Sequence, residues 1–183
     1  MDPKLIKVLA FDADDTLWVN ESFYHEAELS LYKLLEDSVE KDRLSMQLFA
    51  TEMKNIPIYG YGGKSFTLSM IEAAINITNN TVSAEIIGNI IDLGKELVQR
   101  PIVLIEGVRE VLDKLKAMNS YSLILATKGD LLDQRRKLKE SGLINYFDKI
   151  DVMDKKSVDE YSKIMKELKI RPEEFMMIGN SMR

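Results

Sequence analysis

The sequence lacks several residue and segment types that would point to particular functions. It has no cysteine among its 183 residues, which excludes disulfide bonds and thiolate metal sites. Its single histidine, His25, excludes mechanisms that need two histidines. No stretch approaches the roughly 18 apolar residues of a membrane span, and the first apolar run is too short for a signal peptide. We therefore expect a cytoplasmic protein without a membrane partner.

An excess of basic charge is also absent. The 25 Lys and Arg residues stand against 30 Asp and Glu residues, which gives a formal net charge of −5. Because non-specific nucleic-acid binding relies on a basic surface, we expect no nucleic-acid partner. A local group of lysines or a metal ion can still attract an anionic small molecule. The composition leaves the oligomeric state open.

After Pro101 the sequence alternates between helical and strand patterns. Short apolar runs at 121–126 and 175–178 and the short segment 149–153 predict strands, with helical periodicity between them. Strands that alternate with helices are typical of parallel βαβ units. The apolar run 5–11 predicts a further strand, which must join this sheet because a single strand has no partner. The prediction is an α/β fold with a Rossmann-like parallel-sheet core.

Residues 20–100 follow a different pattern, because apolar residues recur there at helical spacing in four sets without a strand signal. Four amphipathic helices in succession predict a small four-helix bundle. We therefore predict two domains. An α/β core comprises residues 1–19 and 101–183, and an all-helical cap domain of residues 20–100 is inserted after the first strand.

Residues 55–64, NIPIYGYGGK, place two tyrosines beside three glycines. Glycine lets a backbone approach a ligand closely, and loops carry many binding residues. We predict a loop whose tyrosines, Tyr59 and Tyr61, contact substrate, with a plain helix–helix turn as the alternative. We also expect this loop to face the Asp12 carboxylate across a cleft, with hinges near Asn20 and Arg100–Pro101.

Three carboxylates, those of Asp12, Asp14 and Asp15, lie within four positions directly after the first predicted strand. Crowded like charges repel, so the arrangement calls for a positive partner. Further polar groups follow the other predicted strands, at residues 127–130 (TKGD), 154–156 (DKK) and 179–181 (GNS). In open parallel sheets, functional groups gather beyond the carboxyl ends of the strands. Acids, lysines, a hydroxyl and an amide at one edge suit Mg²⁺ together with a phosphate.

These pieces resemble the haloacid dehalogenase-like hydrolase superfamily. DADDT at 12–16 matches its first motif, Asp-x-Asp-x-Thr after a hydrophobic strand. Thr127 at a strand end matches the second motif, and Lys156 before a helix matches the third, with Lys155 as the alternative. GNS at 179–181 matches the fourth, although most members have Asp at the second of these positions. The helical insertion is similar to the cap of a subgroup that includes phosphoglycolate-type phosphatases and dehalogenases.

The resemblance implies a Mg²⁺-dependent phosphatase that hydrolyses a small phosphorylated metabolite. Asp12 is implied as the nucleophile, which forms an aspartyl-phosphate, and Asp14 as the general acid/base. The implied metal ligands are the Asp12 carboxylate, the Asp14 backbone carbonyl and the Asn180 side chain. Thr127 and Lys156 are implied to hold the phosphoryl oxygens. Dehalogenases of the superfamily lack an acid at the position of Asp14, because a halide leaves without a proton.

Several alternatives stay open at this point. A phosphomutase or dehalogenase of the same superfamily shares most of these features, and so does a catalytically silent binding protein with this fold. Asn180 supports the silent binding protein, because a neutral amide in place of the usual Asp leaves the metal site with one negative charge fewer. The chain ends at Arg183, inside the fourth motif, where the family places a second acid. We expect the chain to be a fragment with an incomplete core that is impaired or inactive as it stands.

Overall fold

The computed structural model describes residues 5–153 and 155–180, and the chain divides into two compact units. One unit comprises Met1–Asn20 and Pro101–Arg183, and the other comprises Glu21–Arg100. Two residues that the sequence places at predicted strand ends, Asp154 and Ser181, lie outside the described residues. Within the described ranges, no helix is both long enough and apolar enough to cross a membrane.

Four parallel strands form one sheet in the described part of the first unit, in the order β3-β2-β1-β4. The strands are β1 Val8–Phe11, β2 Ser122–Lys128, β3 Lys149–Met153 and β4 Phe175–Ile178. All four residues of β1 are buried, as a central parallel strand requires. The predicted α/β fold with a parallel sheet is confirmed. β2 runs two residues past its predicted end, so that Thr127 is part of the strand.

Seven α-helices occur in the described residues, four in the helical unit and three in the α/β unit. They are α1 Glu21–Leu35, α2 Lys41–Tyr59, α3 Gly63–Ile77, α4 Ala84–Gln99, α5 Val108–Met118, α6 Leu131–Glu140 and α7 Val158–Leu168. Buried apolar residues of α1 to α4 form one continuous cluster. The α/β unit has two clusters, which are divided between alternating residues of β1 and β2. This alternation places one cluster on each face of the sheet.

The structure corrects the predicted loop at residues 55–64. α2 continues to Tyr59 and α3 begins at Gly63, so only residues 60–62 separate the two helices. Helical bonding persists past Pro57, because the N–H of Gly60 donates to the carbonyl of Ile56 at 2.9 Å. The predicted substrate loop is therefore a short glycine turn, with Tyr59 at the end of a helix.

The buried side chain of Asn55 explains why α2 extends so far. Its Nδ2 donates to Ser69 Oγ at 3.1 Å and to Glu72 Oε2 at 3.0 Å, both on α3. A buried amide is costly without such partners. These bonds hold the last turns of α2 against α3, in a segment where the proline and glycines suggested a loop.

The helix α6, which supplies part of the candidate site, has well-defined ends. Asp130 caps its N-terminus, because Oδ1 accepts from the N–H of Asp133 at 2.9 Å. Gly142 follows its C-terminus with φ +71°, the left-handed conformation that glycine adopts without steric cost. Both ends of this helix are therefore fixed by local interactions, and its side chains occupy defined positions.

The turn before β4 depends on the buried carboxylate of Glu174. Oε2 accepts from the backbone N–H of Arg171 at 2.9 Å, and Oε1 lies 2.7 Å from Lys7 Nζ. The bond from the Arg171 backbone and the bond from Lys7 lower the pKa of Glu174 from 4.5 to about 2. A depressed carboxyl pKa stabilises the fold above the unfolded-state pKa, and this contribution is lost as pH falls through the folded-state pKa.

We expect Glu174→Gln to lower the melting temperature at neutral pH. The difference from the wild type should shrink as pH falls from above 4.5 toward 2, the interval between the unfolded and folded pKa values. Thermal unfolding monitored by circular dichroism at a series of pH values measures this. Glu173→Gln, at an exposed neighbour paired with Arg171 at 3.1 Å, is the control and should change little. A pH-independent difference would contradict the assignment.

Candidate active site

The carboxyl edge of the sheet carries Asp12, the residue directly after β1. Its N–H donates to the carbonyl of Ile178 at 2.8 Å, which extends the pairing of β1 with β4. Asp12 is 8% exposed, and its Oδ1 accepts from the N–H of Ala13 at 2.9 Å. Lys156 Nζ lies 2.5 Å from the same oxygen. The Asp12 carboxylate is thus a buried anion with one lysine as counter-ion.

The structure distinguishes the two lysines that the sequence left as alternatives. Lys156 is partly buried and pairs with Asp12, whereas Lys155 is exposed. Lys156 directly precedes Ser157, whose Oγ accepts from the N–H of Glu160 at 3.3 Å and caps α7. The cap fixes the start of α7 and, with it, the position from which Lys156 reaches the carboxylate.

The loop after β4 approaches Asp12 at Gly179. A Cβ at this position would lie 3.2 Å from the Asp12 Cβ and 3.6 Å from its Oδ2, so the absence of a side chain permits the approach. The next residue, Asn180, donates its N–H to Thr16 Oγ1 at 3.0 Å. Sequence reasoning gave Thr16 no role of its own. Its position as the last residue of the DADDT motif was the available signal.

Thr127 lies at the same edge of the sheet, near the end of β2, and is 1% exposed. The register pairs Phe11 of β1 with Leu125 of β2, so Asp12 and Thr127 fall within one residue step of each other along neighbouring strands. Thr127 Oγ1 donates to the carbonyl of Lys128 at 3.4 Å, longer than a usual hydrogen bond. The hydroxyl is therefore weakly held, which suits a group that exchanges partners when a ligand binds.

The Asp14 carboxylate binds other partners than the Asp12 carboxylate does. Its Oδ1 accepts from Trp18 Nε1 at 2.7 Å and from Lys137 Nζ at 3.1 Å. Its Oδ2 accepts from Gln134 Nε2 at 2.8 Å. Gln134 and Lys137 belong to α6 and were not among the predicted site residues. The second carboxylate of the motif is therefore fixed by a helix that follows it by more than a hundred residues.

Asp15 has a local structural role. It adopts φ +56°, and its Oδ1 accepts from the N–H of Asn20 at 2.9 Å. This is the geometry of a turn residue. The carboxylates of Asp12, Asp14 and Asp15 thus bind different partners. In the described ranges, no group of three His, Cys, Asp or Glu residues is arranged to hold a metal.

The residues around Asp12 nevertheless fit a magnesium ion by their donor chemistry. Asp12 Oδ2 lies on the side of Gly179, and the loop there continues directly to Asn180. One carboxylate oxygen, the backbone carbonyl of Asp14 and the Asn180 amide oxygen are the hard oxygen ligands that Mg²⁺ prefers. Mg²⁺ also keeps several waters, so a small protein donor set is sufficient.

Tyr161 of α7 is a neighbour of the site that was not among the predicted site residues. Burial, with a smaller contribution from the negative charge of Asp12, raises the pKa of Tyr161. Its ring lies 6.0 Å from that of Phe175, centroid to centroid. The phenol therefore stays protonated at neutral pH.

Tyr59 and Tyr61, the predicted substrate contacts, belong to the helical unit. Tyr59 ends α2 and is 55% exposed, and Tyr61 lies in the turn before α3 and is 39% exposed. Exposure leaves both rings accessible within their unit. Contact with substrate stays a prediction for both tyrosines.

A family model for haloacid dehalogenase-like hydrolases matches residues 6–183. A haloacid dehalogenase-like family hydrolase from Xanthomonas campestris is 38% identical with a TM-score of 0.92, over 100% of this chain and 76% of that one. A search of curated proteins found no match.

More distant structures share the fold and span different activities. One is described as a predicted phosphoglycolate phosphatase from Haemophilus somnus, with a TM-score of 0.59, 16% identity and coverage of 96% and 77% of the two chains. Another is a 2-haloacid dehalogenase from Pseudomonas syringae, with a TM-score of 0.61, 15% identity and coverage of 96% and 78%. At such identities the similarity establishes the fold alone.

Proposed function

Because the chain belongs to the haloacid dehalogenase-like hydrolase family, we propose that it is a Mg²⁺-dependent phosphatase of small phosphate monoesters. The observation that carries this proposal is Asp14, a second carboxylate held by three side chains. A halide leaves without a proton, whereas the alkoxide that leaves a phosphate ester needs one from an acid. A fixed second acid therefore supports a phosphatase over a dehalogenase.

Asp12 is the nucleophile in this proposal. One oxygen of its carboxylate forms a bond to phosphorus as the ester P–O bond breaks in line, which gives an aspartyl-phosphate. Asp14, protonated at the acceptor position that its three donors leave free, gives that proton to the leaving alkoxide. The hydrogen bond from Ala13 and the ion pair with Lys156 orient the Asp12 carboxylate through Oδ1. These contacts reduce the freedom that the nucleophile would otherwise lose on reaching the transition state.

Asp14 then acts as a base in the second step. It takes a proton from water as the water oxygen attacks phosphorus, and the bond between phosphorus and the Asp12 oxygen breaks to release inorganic phosphate. A carboxylate offers roughly four acceptor positions. The three donors on Asp14 therefore leave room for one proton in transfer.

Lys156 and Thr127 are the proposed phosphate-binding residues. Lys156 neutralises Asp12 in the structure, and the same ammonium group can bind a phosphoryl oxygen beside that carboxylate. The weakly held Thr127 hydroxyl can donate to a second oxygen. Mg²⁺, when bound by Asp12, the Asp14 carbonyl and Asn180, neutralises charge on the phosphoryl oxygens.

We expect the full-length protein to release phosphate from a panel of small phosphate monoesters in millimolar Mg²⁺. Chelation with EDTA should reduce the rate to background, because the phosphoryl charge then lacks its main counter-charge. Phosphate release measured colorimetrically, with and without Mg²⁺, tests the proposal. A parallel assay offers 2-haloacids and measures halide.

Each alternative predicts a different result in these assays. Halide release without phosphate release would identify a dehalogenase. Transfer of phosphate between positions of a sugar phosphate, with little free phosphate, would identify a phosphomutase. No turnover of any ester, together with binding of phosphate esters, would support a silent binding protein.

A further inference from the structure

Lys137 is a buried lysine of α6 that contacts three polar side chains near the candidate site. It is 8% exposed, and its Nζ lies 3.1 Å from Asp14 Oδ1, 2.8 Å from Asn20 Oδ1 and 3.3 Å from Asp133 Oδ2. An ammonium group has three N–H donors, so these three partners can engage all of them. Lys137 is therefore committed to protein groups.

Gln134 lies one turn earlier on α6 and holds the other oxygen of the same carboxylate. It is 3% exposed, and its Nε2 donates to Asp14 Oδ2 at 2.8 Å and to the carbonyl of Lys128 at 3.4 Å. Gly129 permits this, because a Cβ there would lie only 3.3 Å from Gln134 Nε2. Gln134 thus connects Asp14 with the last residue of β2.

We infer that Lys137 and Gln134 are positioning residues that set the orientation of the Asp14 carboxylate for proton transfer. Each of the two carboxylate oxygens has one donor from α6. Trp18 Nε1 also donates to Oδ1, so loss of Gln134 removes the side-chain donor to Oδ2, and loss of Lys137 leaves Oδ1 held by Trp18 without the ammonium charge. This inference rests on the proposed role of Asp14 as acid/base.

Lys137 also binds Asn20, at the boundary of the α/β unit. Asn20 is the last residue of the first segment of the α/β unit, and the helical insertion begins at Glu21. Lys137 therefore holds both the proposed acid and the residue at which the chain leaves this unit. Its loss should weaken the positioning of both, although Trp18 and Gln134 still bind Asp14.

The test uses Lys137→Met and Gln134→Met, which remove the donors and keep apolar side chains of similar length. Gln134→Met removes no charge, so it tests the idea even if Lys137→Met folds poorly. We expect kcat for an alkyl phosphate to fall about 10-fold in each, part of the 10²–10⁴-fold contribution of a positioned acid/base. KM should change less than about twofold, because substrate binding is not the function removed. Lys139→Met, an exposed lysine on the same helix, is the matched control.

A double-mutant cycle separates positioning from a general structural effect. In an Asp14→Asn background, Lys137→Met should lower kcat by less than about twofold, because the group it positions is already lost. An equal loss in both backgrounds would overturn the inference. A smaller defect with nitrophenyl phosphate than with the alkyl ester is also expected, since nitrophenolate leaves without a proton.

A readout independent of activity comes from Trp18, the single tryptophan of the chain. Its indole N–H donates to Asp14 Oδ1 at 2.7 Å and gives one cross-peak in a proton–nitrogen NMR spectrum. This peak should shift in Lys137→Met and Gln134→Met and stay in place in Lys139→Met. An unmoved peak in both test variants would overturn the inference even with normal phosphatase activity. If the wild type releases no phosphate, the proposed function is wrong. The indole peak then still shows whether Lys137 and Gln134 of α6 orient Asp14.

Discussion

Asp12→Asn abolishes phosphate release from every ester in the panel, if Asp12 is the nucleophile. An amide is too poor a nucleophile to form the phosphoryl intermediate, so the loss should reach the background of the assay. The variant should fold, because the new amide oxygen can still accept from the N–H of Ala13, a bond of 2.9 Å in the wild type. Steady-state phosphate release and trapping of a labelled aspartyl-phosphate measure the effect.

The matched control for this variant lies three residues further along. Asp15→Asn makes the same chemical change at a residue with φ +56°, a conformation that Asn tolerates well. Its side-chain oxygen can still accept from the N–H of Asn20, so the turn should persist. We expect activity within a few-fold of wild type. Near-normal activity of Asp12→Asn would remove both the nucleophile assignment and the aspartyl-phosphate mechanism.

The fold was predictable because strong local patterns specify it. Apolar runs a few residues long, followed at once by an acid, a glycine or a threonine, indicated β1, β2 and β4. The bounds of β3 and β4 are the predicted ones. The strand ends also had to meet, because parallel strands place their carboxyl ends at one edge. The pairing of Asp12 with Lys156 follows from this rule combined with the motif resemblance.

The partners of Asp14 could not be predicted in the same way. Gln134 and Lys137 lie 120 and 123 positions away along the chain. Polar residues of a helix ordinarily face solvent, and both of these residues are polar. No pattern in the neighbouring sequence indicates that the lysine is buried. Their burial depends on how α6 packs beside the sheet, which is a tertiary property.

The predicted loop at residues 55–64 failed for a related reason. Proline and glycine are usually reliable signals of a helix end. Here the buried bonds from Asn55 to α3 favour continued helix, and they involve Ser69 and Glu72, beyond any local window. The glycine cluster still marks the turn, which is confined to residues 60–62.

Asp14→Asn should separate the role of the second carboxylate from that of the first. We expect kcat for alkyl phosphates to fall about 10²–10⁴-fold, the usual contribution of a positioned acid/base. Mg²⁺ affinity should change little, because the proposed metal ligand at this position is the backbone carbonyl. Phosphate release and Mg²⁺ titration by calorimetry measure the two quantities on the same preparation.

The surroundings of Asp14 indicate that this substitution is structurally mild. The new amide oxygen can accept from Trp18 and Lys137 as the carboxylate does. The new amide nitrogen would meet Gln134 Nε2, but Gln134 Oε1 has no partner in the structure. Rotation of the Gln134 amide presents that oxygen as an acceptor. A large loss of thermal stability in this variant would therefore contradict the contacts described here.

The loss of activity in Asp14→Asn should depend on the leaving group of the ester, and this dependence tests whether Asp14 is the general acid. Departure of nitrophenolate needs no proton, so the defect of Asp14→Asn should be smaller with nitrophenyl phosphate than with an alkyl ester. Part of the defect should remain for both substrates, because hydrolysis of the aspartyl-phosphate still needs a base to activate water. If the first step limits the rate with both esters and the loss is equal, Asp14 does not protonate the leaving group. Its three donors would then serve only to hold the loop after β1, and the acid would have to be sought elsewhere.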